Sequence, residues 1–259
     1  MKKFDYGIKN KRILLIGSTG SLGKSHSELL SKLTSKLVIA DLPNSGVEKL
    51  AKRLKIRFVE INASKEDSIK SSIEKASKFY DGFDGAVYNS AITSEGLMDT
   101  KKYSFEKYPT ELWNKAINVN LTGAFVFSKY IYKYLKKSNG SLIFVSSIYG
   151  LVGPDHTIYR NQSFNTFPAY AASKSGLIGF SKWLATLSSK NNIRVNCISP
   201  GGIQNKHKDD FVTLYSNRVP LGRMGDKKDV TGAIIYLLSD ASRYVTGQNI
   251  VIDGGLTAW

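Results

Sequence analysis

Tyr170 and Lys174 stand four residues apart in the run Pro168-Ala169-Tyr170-Ala171-Ala172-Ser173-Lys174. The run reads as the first turns of a helix, where positions four apart share one face. A free phenol has a pKa of roughly 10 and is a poor acid or base near neutrality. An ammonium beside it favours the phenolate and lowers that pKa. The pair therefore has the makings of a proton-transfer device. On its own it reads equally well as an exposed helix pair. What the rest of the chain sets beside it decides between the two.

Residues 11–16 form a short apolar run, read as a buried strand. Gly17-Ser18-Thr19-Gly20-Ser21-Leu22-Gly23 follows at once, and residues 25–33 have helical spacing. Strand, glycine turn and helix form the context of a dinucleotide fingerprint. The glycines let the backbone approach a pyrophosphate, and the helix N-terminus supplies amide donors. A second strand, 36–40, ends in Asp41, 18 residues past Gly23. A carboxylate there bonds ribose hydroxyls and repels a 2′-phosphate, which favours NAD over NADP. The other reading makes Asp41 a cap for the helix starting near Ser45.

Strand signals continue at 57–61, 83–88, 141–145, 193–198 and 249–252. Helical patterns fall at 65–79, 111–137, 170–187 and 226–239. Strand-helix units in succession predict an α/β, Rossmann-type doubly wound parallel sheet of about seven strands with helices on both faces. Ligands bind such sheets at the strand C-termini. Gly17, Asp41, Asn62 and Asn89 follow strand ends and should share one crevice. Within 111–137, Trp113, Ile117, Leu121, Phe125 and Tyr132 suggest a buried stripe. Asn118 and Asn120 interrupt it, and asparagine inside a helix competes with the backbone.

With 259 residues and only 6 prolines, the chain suits one domain covering 1–259. The single cysteine, Cys197, excludes an internal disulfide and a cysteine-rich metal site, so no metal is expected. It lies in an apolar run and reads as a buried structural thiol. The net charge of +16 comes from scattered lysines such as Lys49, Lys52, Lys55, Lys65, Lys70, Lys75 and Lys78. They fit a solvated surface with a bias toward anionic small molecules, not a nucleic-acid or membrane partner. No apolar run reaches the length of a membrane span, and residues 1–6 carry no signal-peptide pattern. A cytoplasmic protein is the expectation.

Together these motifs resemble the short-chain dehydrogenases/reductases over nearly the whole chain. The matching pieces are Gly17 to Gly23, Asn89-Ser90-Ala91, Asn118-Val119-Asn120-Leu121-Thr122-Gly123, Ser146-Ser147 and Tyr170 to Lys174. They continue with Arg194-Val195-Asn196-Cys197-Ile198-Ser199-Pro200-Gly201, Thr246-Gly247-Gln248 and Asp253-Gly254-Gly255. The resemblance implies that Tyr170 exchanges a proton with the substrate oxygen, while Lys174 lowers its pKa and holds the nicotinamide ribose. Ser147 bonds the same substrate oxygen. It is chosen over Ser146 because Ser147-Ile148-Tyr149-Gly150 fits the family's Ser-x-x-Gly. Asn120 would hold a water in the proton relay, and Asn118 is structural. Cofactor contacts are expected along the turn at Gly17, Thr19, Ser21, Leu22 and Gly23. Others are expected at Asp41, Leu42, Asn62 and Ala63, at Asn89, Ser90 and Ala91, at Tyr170 and Lys174, and at Pro200, Gly201 and Ile203.

Three features depart from the family pattern. Ser21 occupies the middle glycine of G-x-x-x-G-x-G. Asn62 stands where an aspartate usually meets adenine. Ser147 and Tyr170 are 23 residues apart, where roughly a dozen is usual, and the extra length is 154–164. That insertion must leave and return at the crevice, so a substrate loop is expected at 151–168. His156, Tyr159 and Arg160 are its candidate substrate residues, with Arg160 suited to fork onto a phosphate or carboxylate. A surface loop or subunit contact is the alternative. The polar stretch 204–210 suggests a lid near 203–215. The insertion and the ending Asp253 to Trp259 look like a bacterial subgroup tied to surface-sugar and flagellin-glycan synthesis.

These readings converge on an NAD(H)-dependent oxidoreductase interconverting a secondary alcohol and a ketone, on a sugar, sugar phosphate or nucleotide sugar. The main competitor is a 3-oxoacyl-(acyl-carrier-protein) reductase. A nucleotide-sensing binding module is disfavoured because Tyr170 and Lys174 are both present. The resemblance also implies a homodimer or homotetramer, pairing the helices at 111–137 and 170–187, with the C-terminal strand as a second contact.

Overall fold

Alternate residues of the first strand belong to two different core layers, Leu14 and Ile16 to one, Ile13 and Leu15 to the other. Successive strand side chains point to opposite faces, so both faces of this sheet are covered. The computed structural model describes residues 6–93, 103–159, 166–205 and 207–259. Arg160 and the tip of the insertion lie outside the described residues. Strands β1 (Ile13–Ile16), β2 (Leu37–Asp41), β3 (Arg57–Glu60), β4 (Gly85–Tyr88), β5 (Ser141–Val145), β6 (Arg194–Pro200) and β7 (Asn249–Ile252) form one sheet. Its order is β3-β2-β1-β4-β5-β6-β7. Every neighbouring pair is parallel. The strand order reverses between β1 and β4, which opens the crevice at that point.

Helices α1 (Ser21–Leu33), α2 (Val47–Leu54) and α8 (Lys227–Leu238) contribute to the layer around Leu30, Leu50 and Ile234. Helices α3 (Glu66–Ser77), α5 (Gly123–Ser138) and α6 (Pro168–Ser188) contribute to the layer around Ile73, Phe127 and Leu177. The lysines of α2 and α3 singled out above are all exposed, and Cys197 is buried. Among the described residues, no helix is long and apolar enough to cross a membrane.

The long helix expected over 111–137 is three pieces: α4 (Thr110–Ile117), a π-turn at Asn118–Thr122, and α5. A π-turn inserts a residue and commonly marks a functional site. Two contacts hold it here. The Tyr88 hydroxyl donates to Val119 O at 2.5 Å. Gly123 follows where a Cβ would lie 2.4 Å from both Ala63 O and the Tyr88 hydroxyl. The expected stripe is corrected as well: Trp113 is 37% and Phe125 is 52% exposed. Those two rings cover the outside of the helix layer. A short helix, α7 (Asp209–Ser216), occupies part of the segment read as a polar lid. Its apolar Phe211 and Tyr215 sit among lysines and aspartates, and such a short pattern is hard to see.

His26 lies on the buried seam between α1 and α8. Its Nδ1 is 2.8 Å from Thr231 Oγ1, whose own proton goes to Lys227 O at 3.2 Å. Nδ1 is therefore the protonated nitrogen, and Nε2 is buried without a protein partner. Burial pushes the imidazole down to about 4. Above pH 6.5 the ring is neutral in both folded and unfolded chains and contributes nothing to pH dependence. Below 6.5 the unfolded chain takes the proton first, so stability falls until about pH 4. The full loss is roughly 3 kcal/mol. Urea unfolding between pH 7 and 4 should show wild type losing about that much more than His26→Asn, which keeps a donor toward Thr231. Parallel pH profiles for the two proteins would show that this ring does not titrate with folding.

Candidate active site

Four side chains expected to act together come from three elements at the C-terminal edge of the sheet. Ser147 follows β5, Asn120 sits in the π-turn, and Tyr170 and Lys174 lie in the first turns of α6. Pro168 opens α6, where its missing N–H costs nothing. Ser147, Asn120 and Lys174 are buried and Tyr170 is partly so. The helix meets the strand end closely. Lys174 Nζ donates to Val145 O at 2.8 Å, and Ser146 Oγ donates to Lys174 O at 2.7 Å. A Cβ on Gly150 would lie 2.8 Å from the Lys174 backbone, so glycine is required there. Ser146 thus fixes the helix, and Ser147 is the serine that meets Tyr170.

The electrostatics differ from the expectation. Burial pushes the Tyr170 phenol up, and the hydrogen bond from Ser147 opposes it. Lys174 does not set the shift. Its ammonium holds Val145 O and lies over the Tyr170 ring, 5.4 Å from the centroid. Burial also pushes that ammonium down to about 8. Ser147 Oγ accepts from Tyr149 N at 3.2 Å, which leaves its proton for Tyr170.

Asn120 has both side-chain ends engaged. Oδ1 accepts from Ile92 N at 2.7 Å, and Nδ2 donates to Ile92 O at 3.2 Å and to Ser173 Oγ at 3.1 Å. Ser173 Oγ passes the link on to Tyr170 O at 2.8 Å. Its amide protons are thus engaged, and Oδ1 keeps a second acceptor position. What it does is tie the loop after β4 to the Tyr170 helix. Asn118 Nδ2 donates to Ser64 O at 3.2 Å, a structural contact as expected.

The glycine turn has the form a pyrophosphate-bearing ligand needs. Gly17 has φ +75°, and a Cβ on it would lie 2.5 Å from Ser90 N. A Cβ on Gly23 would lie 2.0 Å from Gly17 O. Gly20 caps α1 with no side-chain bond, and its first turn carries no acid. The first amides are thus left to an anionic ligand. Ser21, the departure from the family pattern, is the first residue of α1 and is exposed, with Leu22 behind it. Asn89 Nδ2 donates to Gly17 O at 2.7 Å, so Asn89-Ser90-Ala91 buttresses the turn.

Asp41 does not cap α2, whose N-cap is Gly46. Its Oδ2 accepts from Thr19 N and Thr19 Oγ1, each at 2.7 Å, and its Oδ1 accepts from Leu42 N at 2.8 Å. Oδ1 keeps acceptor capacity for a hydroxyl. Asn62 Oδ1 accepts from Ser64 N at 3.0 Å and from Ser64 Oγ at 2.7 Å, so its Nδ2 is the group left to meet a base, next to buried Ala63. Pro200 ends β6, and Ile203 bridges to Gly225 beyond Gly201 and Gly202.

The insertion reaches this site. Tyr159 is buried, while His156 is exposed on the same turn. The Tyr159 and Tyr149 hydroxyls are 2.5 Å apart. Asp155 is ion-paired to Arg218 just past α7. Tyr215 of α7 accepts from Gly202 N at 2.5 Å, where a glycine Cβ would lie 2.5 Å from the Tyr215 ring. Tyr149, Ile92, Ser173 and Tyr215 received no role from the sequence. Tyr149 was within the quoted Ser-x-x-Gly, but nothing in the spacing says where its hydroxyl points.

A family profile described as Enoyl-(Acyl carrier protein) reductase matches residues 16–257. The 3-oxoacyl-(acyl-carrier-protein) reductase FabG of Thermotoga maritima is 34% identical over 260 residues, covering 96% of this chain and 98% of that protein. Post-translational flagellin modification protein A of Campylobacter coli is 28% identical over 255 residues, covering 96% and 98%. A short-chain dehydrogenase structure from Leptospira borgpetersenii with bound NAD+ aligns with a TM-score of 0.85 at 30% identity, covering 99% of this chain and 96% of that one. Seven parallel strands, a glycine cradle and a serine-tyrosine-lysine cluster at one sheet edge agree with those likenesses, and the chain belongs to the short-chain dehydrogenase/reductase family of oxidoreductases acting on CH–OH groups.

Proposed function

We propose that the chain is an NAD(H)-dependent oxidoreductase that interconverts a secondary alcohol and a ketone on a hydroxylated, sugar-like substrate. The observation that carries this is the placement of Ser147, Tyr170 and buried Lys174 together at the edge where the glycine cradle opens, with Lys174 bonded to Val145 O and lying over the Tyr170 ring. The nicotinamide nucleotide, when bound, supplies or takes the hydride. Tyr170 exchanges the proton with the substrate oxygen, and Ser147 bonds the same oxygen. Lys174 puts a positive charge over the Tyr170 ring and, on the cradle side, holds a ribose. Asn120 positions Tyr170 through Ser173 and steadies the loop after β4. Gly17, Thr19, Ser21, Leu22 and Gly23 hold the pyrophosphate. Asn62, Ala63, Asn89, Ser90 and Ala91 meet the adenosine side, and Pro200, Gly201 and Ile203 flank the nicotinamide.

NAD preference rests on Asp41. A 2′-phosphate beside Oδ1 meets a carboxylate already fixed by three donors. The substrate class rests on the polar insertion and on the likeness to the flagellin modification protein. The chain is read as one domain, with the 151–168 loop and the 203–215 segment as walls of the substrate pocket. Exposed Trp113, Phe125, Trp183 and Leu187 on α4, α5 and α6 support pairing of those helices in a homodimer or homotetramer. A 3-oxoacyl-(acyl-carrier-protein) reductase is the second reading, favoured by the 34% relative and by a net charge of +16 that suits an acidic carrier.

Tyr170→Phe should keep its NADH affinity, measured by fluorescence titration, and lose at least a thousandfold in turnover with a ketone substrate. Near-normal turnover would remove Tyr170 from the chemistry. Wild type should use NADH at least tenfold better than NADPH in kcat/KM. Asp41→Asn, which keeps an acceptor for Thr19, should narrow that ratio about tenfold. A wild-type preference for NADPH would overturn the Asp41 assignment.

A further inference from the structure

Tyr159 belongs to a short 3-10 turn at His156–Tyr159, yet it is only 6% exposed. Its hydroxyl meets that of Tyr149 at 2.5 Å, and its ring lies 5.4 Å from that of Phe211 on α7. Phe211 in turn lies 6.0 Å from Tyr215, which is bonded to Gly202 N. Tyr149 is two residues past Ser147 and donates its N–H to the Ser147 hydroxyl. The hydroxyl pair therefore joins the Ser147 turn to the insertion, and the Tyr159–Phe211 ring contact joins the insertion to α7. The Asp155–Arg218 ion pair closes the same unit from outside. Burial pushes the Tyr149, Tyr159 and Tyr215 phenols up, so all three stay neutral at working pH. The Tyr149 and Tyr159 phenols are each within electrostatic reach of Tyr170.

Three of the four rings joined here, Tyr149, Tyr159 and Tyr215, carry hydroxyls, and the fourth is Phe211. Ile158, Val219 and Met224 belong to the same buried cluster as Tyr159, Phe211 and Tyr215. An acyl chain on a carrier needs an open apolar channel leading away from the reacting carbon. On the α7 side the rings of Tyr159, Phe211 and Tyr215 stand in contact. Phenolic hydroxyls offer hydrogen bonds, which suit a ring bearing alcohols and leave an alkyl chain unmatched.

We infer that Tyr159, held by Tyr149, is a specificity-determining residue: it closes the α7 side of the pocket so that the site takes a compact hydroxylated ketone or alcohol and turns away extended acyl thioesters. This rests on the oxidoreductase reading above and narrows its substrate class.

The test compares two probes with NADH, 4-hydroxycyclohexanone and acetoacetyl-CoA. Wild type should reduce the ring ketone with the higher kcat/KM. Tyr159→Ala should lower the ring-to-thioester ratio at least tenfold while its NADH Kd stays within twofold of wild type. Tyr159→Phe keeps the ring and loses the hydroxyl pair. It should still reject the thioester while its KM for the hydroxylated ketone rises more than its kcat falls. If Tyr159→Ala does not fold well enough to bind NADH, Tyr159→Leu serves in the same comparison. An unchanged ratio in a variant with wild-type NADH affinity would overturn the inference, as would a wild-type preference for acetoacetyl-CoA. Failure of the oxidoreductase reading looks different: neither wild type nor any variant would consume NADH with either probe, and this inference would fall with it.

Discussion

A buried ammonium bonded to a strand-end carbonyl sets the geometry on which the rest depends. Lys174 is 2% exposed and donates to Val145 O. An isolated buried cation is costly unless its donors are matched. Here the cost forces α6 down onto the end of β5, and Ser146 and Gly150 complete the contact. Tyr170 is one helical turn before Lys174, and Ser147 is two residues past Val145. Fixing lysine against carbonyl therefore fixes phenol against hydroxyl. The same constraint explains why the 23-residue span between Ser147 and Tyr170 can be longer than usual without moving either. Both ends are anchored independently of the insertion, and its described part, His156–Tyr159, packs against α7.

A second set of bonds reaches from this centre to the nucleotide cradle. Asn120 grips both backbone groups of Ile92, three residues past Asn89, which holds Gly17 O. On its other side it reaches Tyr170 through Ser173. A continuous helix would carry position 120 differently relative to both. The π-turn, with Tyr88 bonded into it and Gly123 making room, is the local distortion that lets one amide face two directions. It sits where three strand ends, the glycine turn and α6 converge.

The sheet was legible in the sequence because its signals are local and repeated. Apolar runs of four to seven residues alternate with amphipathic helices, and Gly17 and Gly23 mark a turn that tolerates little else. The four expected site residues were legible because their order along the chain is itself a pattern. Their mutual geometry was not. A Tyr-x-x-x-Lys spacing suggests that the ammonium tunes the phenol, but the Val145 carbonyl competes for that ammonium, and burial acts on both groups. Trp113 and Phe125 fit a core stripe by periodicity and are exposed, because periodicity says which residues share a face and not whether that face is covered. The role of Tyr159 needed the fold, since its partner is ten residues away and its ring neighbour belongs to a helix the sequence did not announce.

The raised phenol bears on which direction the chemistry runs. Ser147 accepts from Tyr149 N, which leaves its one proton for a bond on the Tyr170 side. A substrate oxygen entering between them takes over that bond and receives a second from the phenol. Burial holds the phenol in its protonated form, the form that donates to a carbonyl oxygen becoming an alcohol. Alcohol oxidation needs the phenolate instead. Lys174 lies over the ring, with its ammonium bonded to Val145 O. Under the proposed roles, Tyr170 gives its proton to the substrate oxygen when a ketone is reduced and takes one back when an alcohol is oxidised.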